Sequence, residues 1–216
     1  MNNSVLGDQP VSARIGLKTW LFRPFHYIAG AQSLIIGLGA VLAAGWLISF
    51  SNTHFDGVLD FHTGMPNVFP GFLLEGLLAW LSLAVVLFIL GKLFTKSRFR
   101  AIDLFGTQAL ARWPTLIIAA LALLPQYRRG LALMMSFAMN PGGGWQGSPV
   151  DALALGLIML LQIAALVWMV ALMYQSYRIC TNLRGAKIAL SFIGGLLLGE
   201  TISKVALWQL MLHQII

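Results

Sequence analysis

The chain has 216 residues, 58% of them hydrophobic and only 10% charged, with a net charge of +7. A soluble domain carries about 25% charged residues, so this apolar excess excludes an ordinary globular fold and calls for the bilayer as solvent. The cations stand at the ends of apolar runs rather than on one clustered face, which excludes a nucleic-acid partner, and the single cysteine, Cys180, excludes an internal disulfide or a cysteine metal cluster.

Residues 1–12 are polar, and the first apolar run starts only at Ile28. No cleavable signal peptide is expected, and that run stays as a signal anchor. Residues 15–25 mix Ile15, Leu17, Trp20, Leu21, Phe22 and Phe25 with Arg14, Lys18 and Arg23. Two readings stay open there: an amphipathic segment at the membrane interface, or a short juxtamembrane flank. Arg23-Pro24 marks the bend into the membrane, because a residue before proline avoids helix. Residues 1–27 thus form a cytoplasmic and interfacial segment, and 28–216 a membrane domain.

The first span covers 28–50 without a charge, long enough at about 1.5 Å per residue to cross a core of roughly 30 Å. Ser33, Gly37, Ala40 and Ala44 form a stripe of small residues that lets a neighbouring helix approach closely. Residues 51–70 follow as a loop without Lys or Arg, containing the near-palindrome His54-Phe55-Asp56-Gly57-Val58-Leu59-Asp60-Phe61-His62. Imidazole and carboxylate are ligands that zinc and related divalent metals accept. His54, Asp56, Asp60 and His62 are therefore candidate metal ligands; in a tight turn centred on Val58, His54 faces His62 and Asp56 faces Asp60, whereas on a helix Asp56 and Asp60 share a face through their spacing of four and His62 falls partly away. The competing reading is a solvated polar loop with Phe55, Leu59 and Phe61 resting on the membrane surface.

The second span covers 69–91, with Pro66 and Pro70 fixing its start, and Lys92, Lys96, Arg98 and Arg100 follow as a cytoplasmic turn. The third span, 101–124, is irregular. It carries Asp103, Gln108, Arg112 and Pro114; such polar groups must face protein or water, and the proline invites a kink. Residues 125–130 are read as ending that helix, and 131–139 as a separate interfacial or re-entrant piece too short to span. The Pro- and Gly-rich stretch 140–149 reads as a flexible loop. Asp151 is the expected N-cap of a fourth span, 152–174. Arg178, Arg184 and Lys187 lead into a fifth, 188–212. The basic bias puts the N-terminus inside and the C-terminus outside.

Charges within spans suggest function by default. On this topology Glu75 lies roughly 9 Å below the outer surface, and Glu200 and Lys204 lie about 18 and 24 Å along the fifth span, in the same leaflet. Glu75, Gln108, Arg112, Glu200 and Lys204 form a candidate intramembrane polar site. Glu200 and Lys204 also suit a self-neutralising helical pair, and Glu75 suits pairing with Arg112 or Lys204. Gly195 and Gly199 form a GxxxG pattern that marks helix contact. His26 and His213 fall near span ends, as interfacial residues do. No nucleophile stands beside a base at a recognisable spacing, and 142–144 lacks the ending of a phosphate-binding loop.

The five-span layout, and the stretch Gly106-Thr107-Gln108-Ala109-Leu110-Ala111-Arg112-Trp113-Pro114, resemble the Yip (Ypt-interacting protein) family in its bacterial form. The resemblance implies an all-α bundle of five transmembrane helices in the bacterial inner membrane, with this orientation. Eukaryotic relatives bind small prenylated GTPases, but the long hydrophilic N-terminal region expected in them is missing from this sequence, so GTPase binding is not implied. Three functional readings follow. One is a non-enzymatic, membrane-organising or protein-interaction module, partnered by lipid and by a second copy or another membrane protein. Another is a small ion or metabolite transporter using the intramembrane charges. The third is a metal-dependent membrane enzyme.

Overall fold

A computed structural model describes residues 16–64 and 67–212. The polar reading of 1–12, Arg14 and Ile15 of the interfacial segment, Pro66 before the second span and His213 all lie outside the described residues. Eight α-helices run in chain order: α1 (Leu17–Phe22), α2 (Gly30–Ser49), α3 (Phe69–Phe94), α4 (Ala101–Leu110), α5 (Thr115–Ala122), α6 (Pro125–Met139), α7 (Pro149–Thr181) and α8 (Ala186–Leu212). A small antiparallel pair, β1 (Thr53–His54) and β2 (His62–Thr63), lies between α2 and α3.

Among the described residues, five helical segments are long and apolar enough to cross a membrane: α2, α3, α4 with α5, α7 and α8. The chain is an all-α, multi-pass membrane protein. In the window over α4 and α5, 67% of residues are buried in the bundle, against 28–39% for the other crossings, so this third crossing is the central one. Its neighbours carry their large apolar side chains outward, Ile35, Ile89, Leu160, Val167 and Leu197 among them. Lipid takes the place that water would deny such a surface.

Small residues determine how closely the helices meet. Ser33, Gly37 and Ala44 of α2 are buried, and Ala40 is partly so. A Cβ on Gly37 would collide with the backbone at Ala109 and Leu110, and one on Gly106 would collide with the Gly30 carbonyl and the Ser33 hydroxyl. Glycines thus let α2 and α4 touch backbone to backbone, the geometry that replaces hydrophobic drive in a bilayer. Gly195 and Gly199 let α8 approach α3, a Cβ on Gly195 meeting the Leu87 and Leu90 side chains and one on Gly199 meeting Leu83 at its Cα and side chain.

The third crossing is broken rather than merely bent. Pro114 brings no N–H, and the chain tightens from Ala111 to Pro114, with Arg112 N–H bonding to the Ala109 carbonyl and Trp113 N–H to that of Leu110. Gln108 sits before the break and bonds to the Met173 carbonyl and the Ser176 hydroxyl of α7, both at 3.0 Å. Arg112 sits within the break and faces elsewhere.

Two local expectations are corrected. Residues 125–130 do not end a helix; they begin α6, a single helix through Met139 with Pro125 in its first turn, where a missing N–H costs nothing. The cap of α7 is Ser148, whose hydroxyl accepts from Asp151 N–H while the Asp151 side chain accepts from Ser148 N–H. Asp151 is the third-position partner of a capping box, not the cap itself. Leu17–Phe22 form a short helix, α1, whose Phe22 stacks on Trp168 of α7 at 5.1 Å between ring centres.

One end of the bundle collects Lys92, Lys96, Arg98, Arg100, Arg178, Arg184 and Lys187, at the α3–α4 and α7–α8 turns. The opposite end carries the loop between α2 and α3, together with α6.

Candidate functional site

The loop between α2 and α3 folds into its end of the bundle. Asn52 takes a left-handed backbone (φ 48°), a conformation that asparagine tolerates better than most residues. It turns the chain out of α2 and into β1. The strands pair Thr53 with Thr63 and His54 with His62, a register whose centre is Val58. The palindrome is therefore a hairpin-like mirror in space, and the two imidazoles stack at 5.6 Å between ring centres. Its tip points inward: Val58 is 2% exposed and Phe55 6%.

Irregular backbone buried in a bundle must find hydrogen bonds without water. The intramembrane charges supply them. Glu75 of α3, fully buried, receives the Phe55 N–H on Oε2 at 3.0 Å and lies 2.7 Å from His54 Nδ1 through Oε1. The Asn67 side-chain amide donates to the same Oε1 at 3.4 Å. Glu200 of α8 accepts from Val58 N–H at 2.6 Å and from Leu59 N–H at 2.9 Å, both on Oε2. Arg112 Nη2 donates to the Val58 carbonyl at 3.1 Å. Val58 is thereby gripped at both of its backbone polar groups, from two different crossings.

Gly57 makes this approach geometrically feasible. A Cβ there would run into the Glu200 carboxylate. Outside the grip, Lys204 closes a more exposed pair, donating to Asp60 Oδ2 at 2.7 Å and lying 3.3 Å from Glu200 Oε1. The i,i+4 pair on α8 thus forms, and it also reaches across to the loop. Glu75 partners the loop rather than Arg112 or Lys204.

The candidate metal ligands divide. His54 is turned toward Glu75 and stacks on Phe72 at 4.9 Å between ring centres. Asp56, Asp60 and His62 each bring a ligand atom to within 4.8 Å of the others. Asp60 is engaged by Lys204, and Asp56 Oδ1 lies 3.4 Å from His62 Nδ1. Of the five intramembrane polar residues, Glu75, Arg112, Glu200 and Lys204 converge on the loop, and Gln108 instead joins α4 to α7.

The other halves of these contacts are backbone amides of Phe55, Val58 and Leu59, together with Gly57 and Asn67. Backbone groups carry no signature in a sequence. Gly57, next to the centre of the palindrome at Val58, is the visible signal. Comparison with protein-family models, with curated proteins and with solved structures finds no match.

Proposed function

We propose that the chain is a non-enzymatic, membrane-organising or protein-interaction module of Yip-like architecture, which holds a rigid loop on the extracytoplasmic face of a bacterial inner membrane. The observation that carries this reading is the double grip on Val58 by Glu200 and Arg112. A loop fixed by buried charges presents a preorganised surface, and preorganisation lowers the entropic cost of binding a partner. The same charges would serve a transporter of ions or metabolites less well, because the Glu75 and Glu200 carboxylates are engaged by backbone N–H groups of the loop.

The orientation rests on the positive-inside rule. Seven of the described cations cluster at the α3–α4 and α7–α8 turns, whereas the opposite end has none in the loop between α2 and α3 and carries Arg128 and Arg129 in α6. The Yip-like assignment rests on five crossings and the stretch 106–114.

Crosslinking in intact membranes, followed by purification in mild detergent, tests the proposal. A stable oligomer or a co-purifying membrane protein is expected. A monodisperse monomer that crosslinks to no other protein contradicts it.

A further inference from the structure

A groove of about 390 Å³ lies between α3 and α8, toward the basic end of the bundle. Leu90 and Phe94 line it from α3, and Lys187, Leu190, Gly194 and Leu198 from α8. The α8 residues recur at steps of three and four, so they share one face of the helix. Gly194 gives the groove its depth, because a Cβ there would meet nothing within 4 Å. Phe94, Leu190 and Leu198 are 52–71% exposed, on helices long and apolar enough to cross a membrane. The groove therefore opens to lipid.

Its length and its charge both fit a lipid of one leaflet. From Lys187 to Leu198 the helix rises roughly 16 Å, about half of a hydrocarbon core of roughly 30 Å. An acyl chain anchored at Lys187 thus fills the groove without leaving its leaflet. Ser191, the other polar side chain on the wall, is buried and donates to the Ile188 carbonyl at 3.2 Å, which leaves Lys187 to meet a headgroup. Among the described residues Lys187 has no carboxylate partner, and the acid at this end, Asp103, is held by two hydrogen bonds from Arg100. Seven cations at the two turns stand against that one acid. Their field attracts a net negative headgroup and repels the ammonium of a zwitterionic one. A second copy docked here would bring its own cations to the same end and add like charge.

We infer that the groove holds one anionic phospholipid, its phosphate at Lys187 and an acyl chain along Gly194 and Leu198. The site is independent of the loop and of the Val58 grip at the opposite end.

The full chain in phosphatidylcholine nanodiscs takes up traces of two diazirine-bearing probes with the same acyl chains, a phosphatidylglycerol and a phosphatidylcholine. Labelled peptides are read by mass spectrometry after irradiation. The phosphatidylglycerol probe should label 187–198 about fivefold more than the phosphatidylcholine probe. Lys187→Gln should bring the two to equality. Lys96→Gln removes the same charge from the same end, outside the groove, and should leave most of the preference. Gly194→Leu puts a side chain into the open space and should abolish the preference while every cation stays. Equal labelling of the parent by the two probes, equal losses in Lys96→Gln and Lys187→Gln, or a preference that persists in Gly194→Leu would overturn the inference. So would disulfide-linked dimers of Leu190→Cys made in a Cys180→Ser background, which would place a second copy in the groove.

Discussion

The Glu200 carboxylate, on the last crossing, accepts a 2.6 Å hydrogen bond from the backbone N–H of Val58, in the first loop. This contact joins opposite ends of the sequence and gives an intramembrane acid a structural task. Removing it should loosen both partners. Glu200→Ala should lower stability by about 3 kcal/mol, since two backbone donors lose a charged acceptor. Glu200→Gln keeps one carbonyl oxygen and should lose about 1–2 kcal/mol. Thermal unfolding in one fixed detergent checks the order; unchanged midpoints would contradict it.

Gly57→Ala should destabilise by about 1–3 kcal/mol, because the new methyl group overlaps the Glu200 carboxylate. Gly39→Ala is the control: nothing lies within 4 Å of a Cβ there, and the substitution should be neutral or stabilising by up to about 1 kcal/mol. Limited proteolysis of the loop separates the two. Gly57→Ala should be cleaved within 51–68 faster than the parent, and Gly39→Ala should not.

His54 and Glu75 should be energetically coupled. A double-mutant cycle with His54→Ala and Glu75→Ala is expected to give an interaction energy of about 1–3 kcal/mol, read from unfolding midpoints. Additive effects would mean that the 2.7 Å contact contributes nothing.

The glycine contacts should differ in cost according to what they meet. A Cβ on Gly37 meets the α4 backbone, which has no rotamer to change. One on Gly195 meets the ends of Leu87 and Leu90, which can swing aside. Gly37→Ala should therefore cost more than about 2 kcal/mol and Gly195→Ala less than about 1 kcal/mol. Comparable losses in the two variants would refute this account of the α2–α4 contact.

Much of this architecture is legible in the sequence. The crossings follow from uncharged apolar runs punctuated by cations, and the break in the third follows from Pro114. The mirror symmetry of the loop about Val58 is readable from its residues, as is the helix contact at Gly195 and Gly199. Other features are hidden for physical reasons. Pro125 looks like a terminator, yet proline also suits a first turn, so α6 reads as two pieces. Pro149 stands between Ser148 and Asp151 and obscures their capping box, in which aspartate replaces the usual glutamate or glutamine. Most of all, the partners of Glu75, Arg112 and Glu200 include main-chain groups, which every residue carries and no spacing rule marks.

Amide hydrogen exchange at Val58 and Leu59 tests most directly whether the intramembrane charges exist to hold the loop. In the parent protein both amides should exchange far more slowly than an open loop, and in Glu200→Ala they should exchange at least about a hundredfold faster, with α2 and α4 little changed. Rapid exchange at both positions in the parent, or slow exchange that persists in Glu200→Ala, would contradict the account.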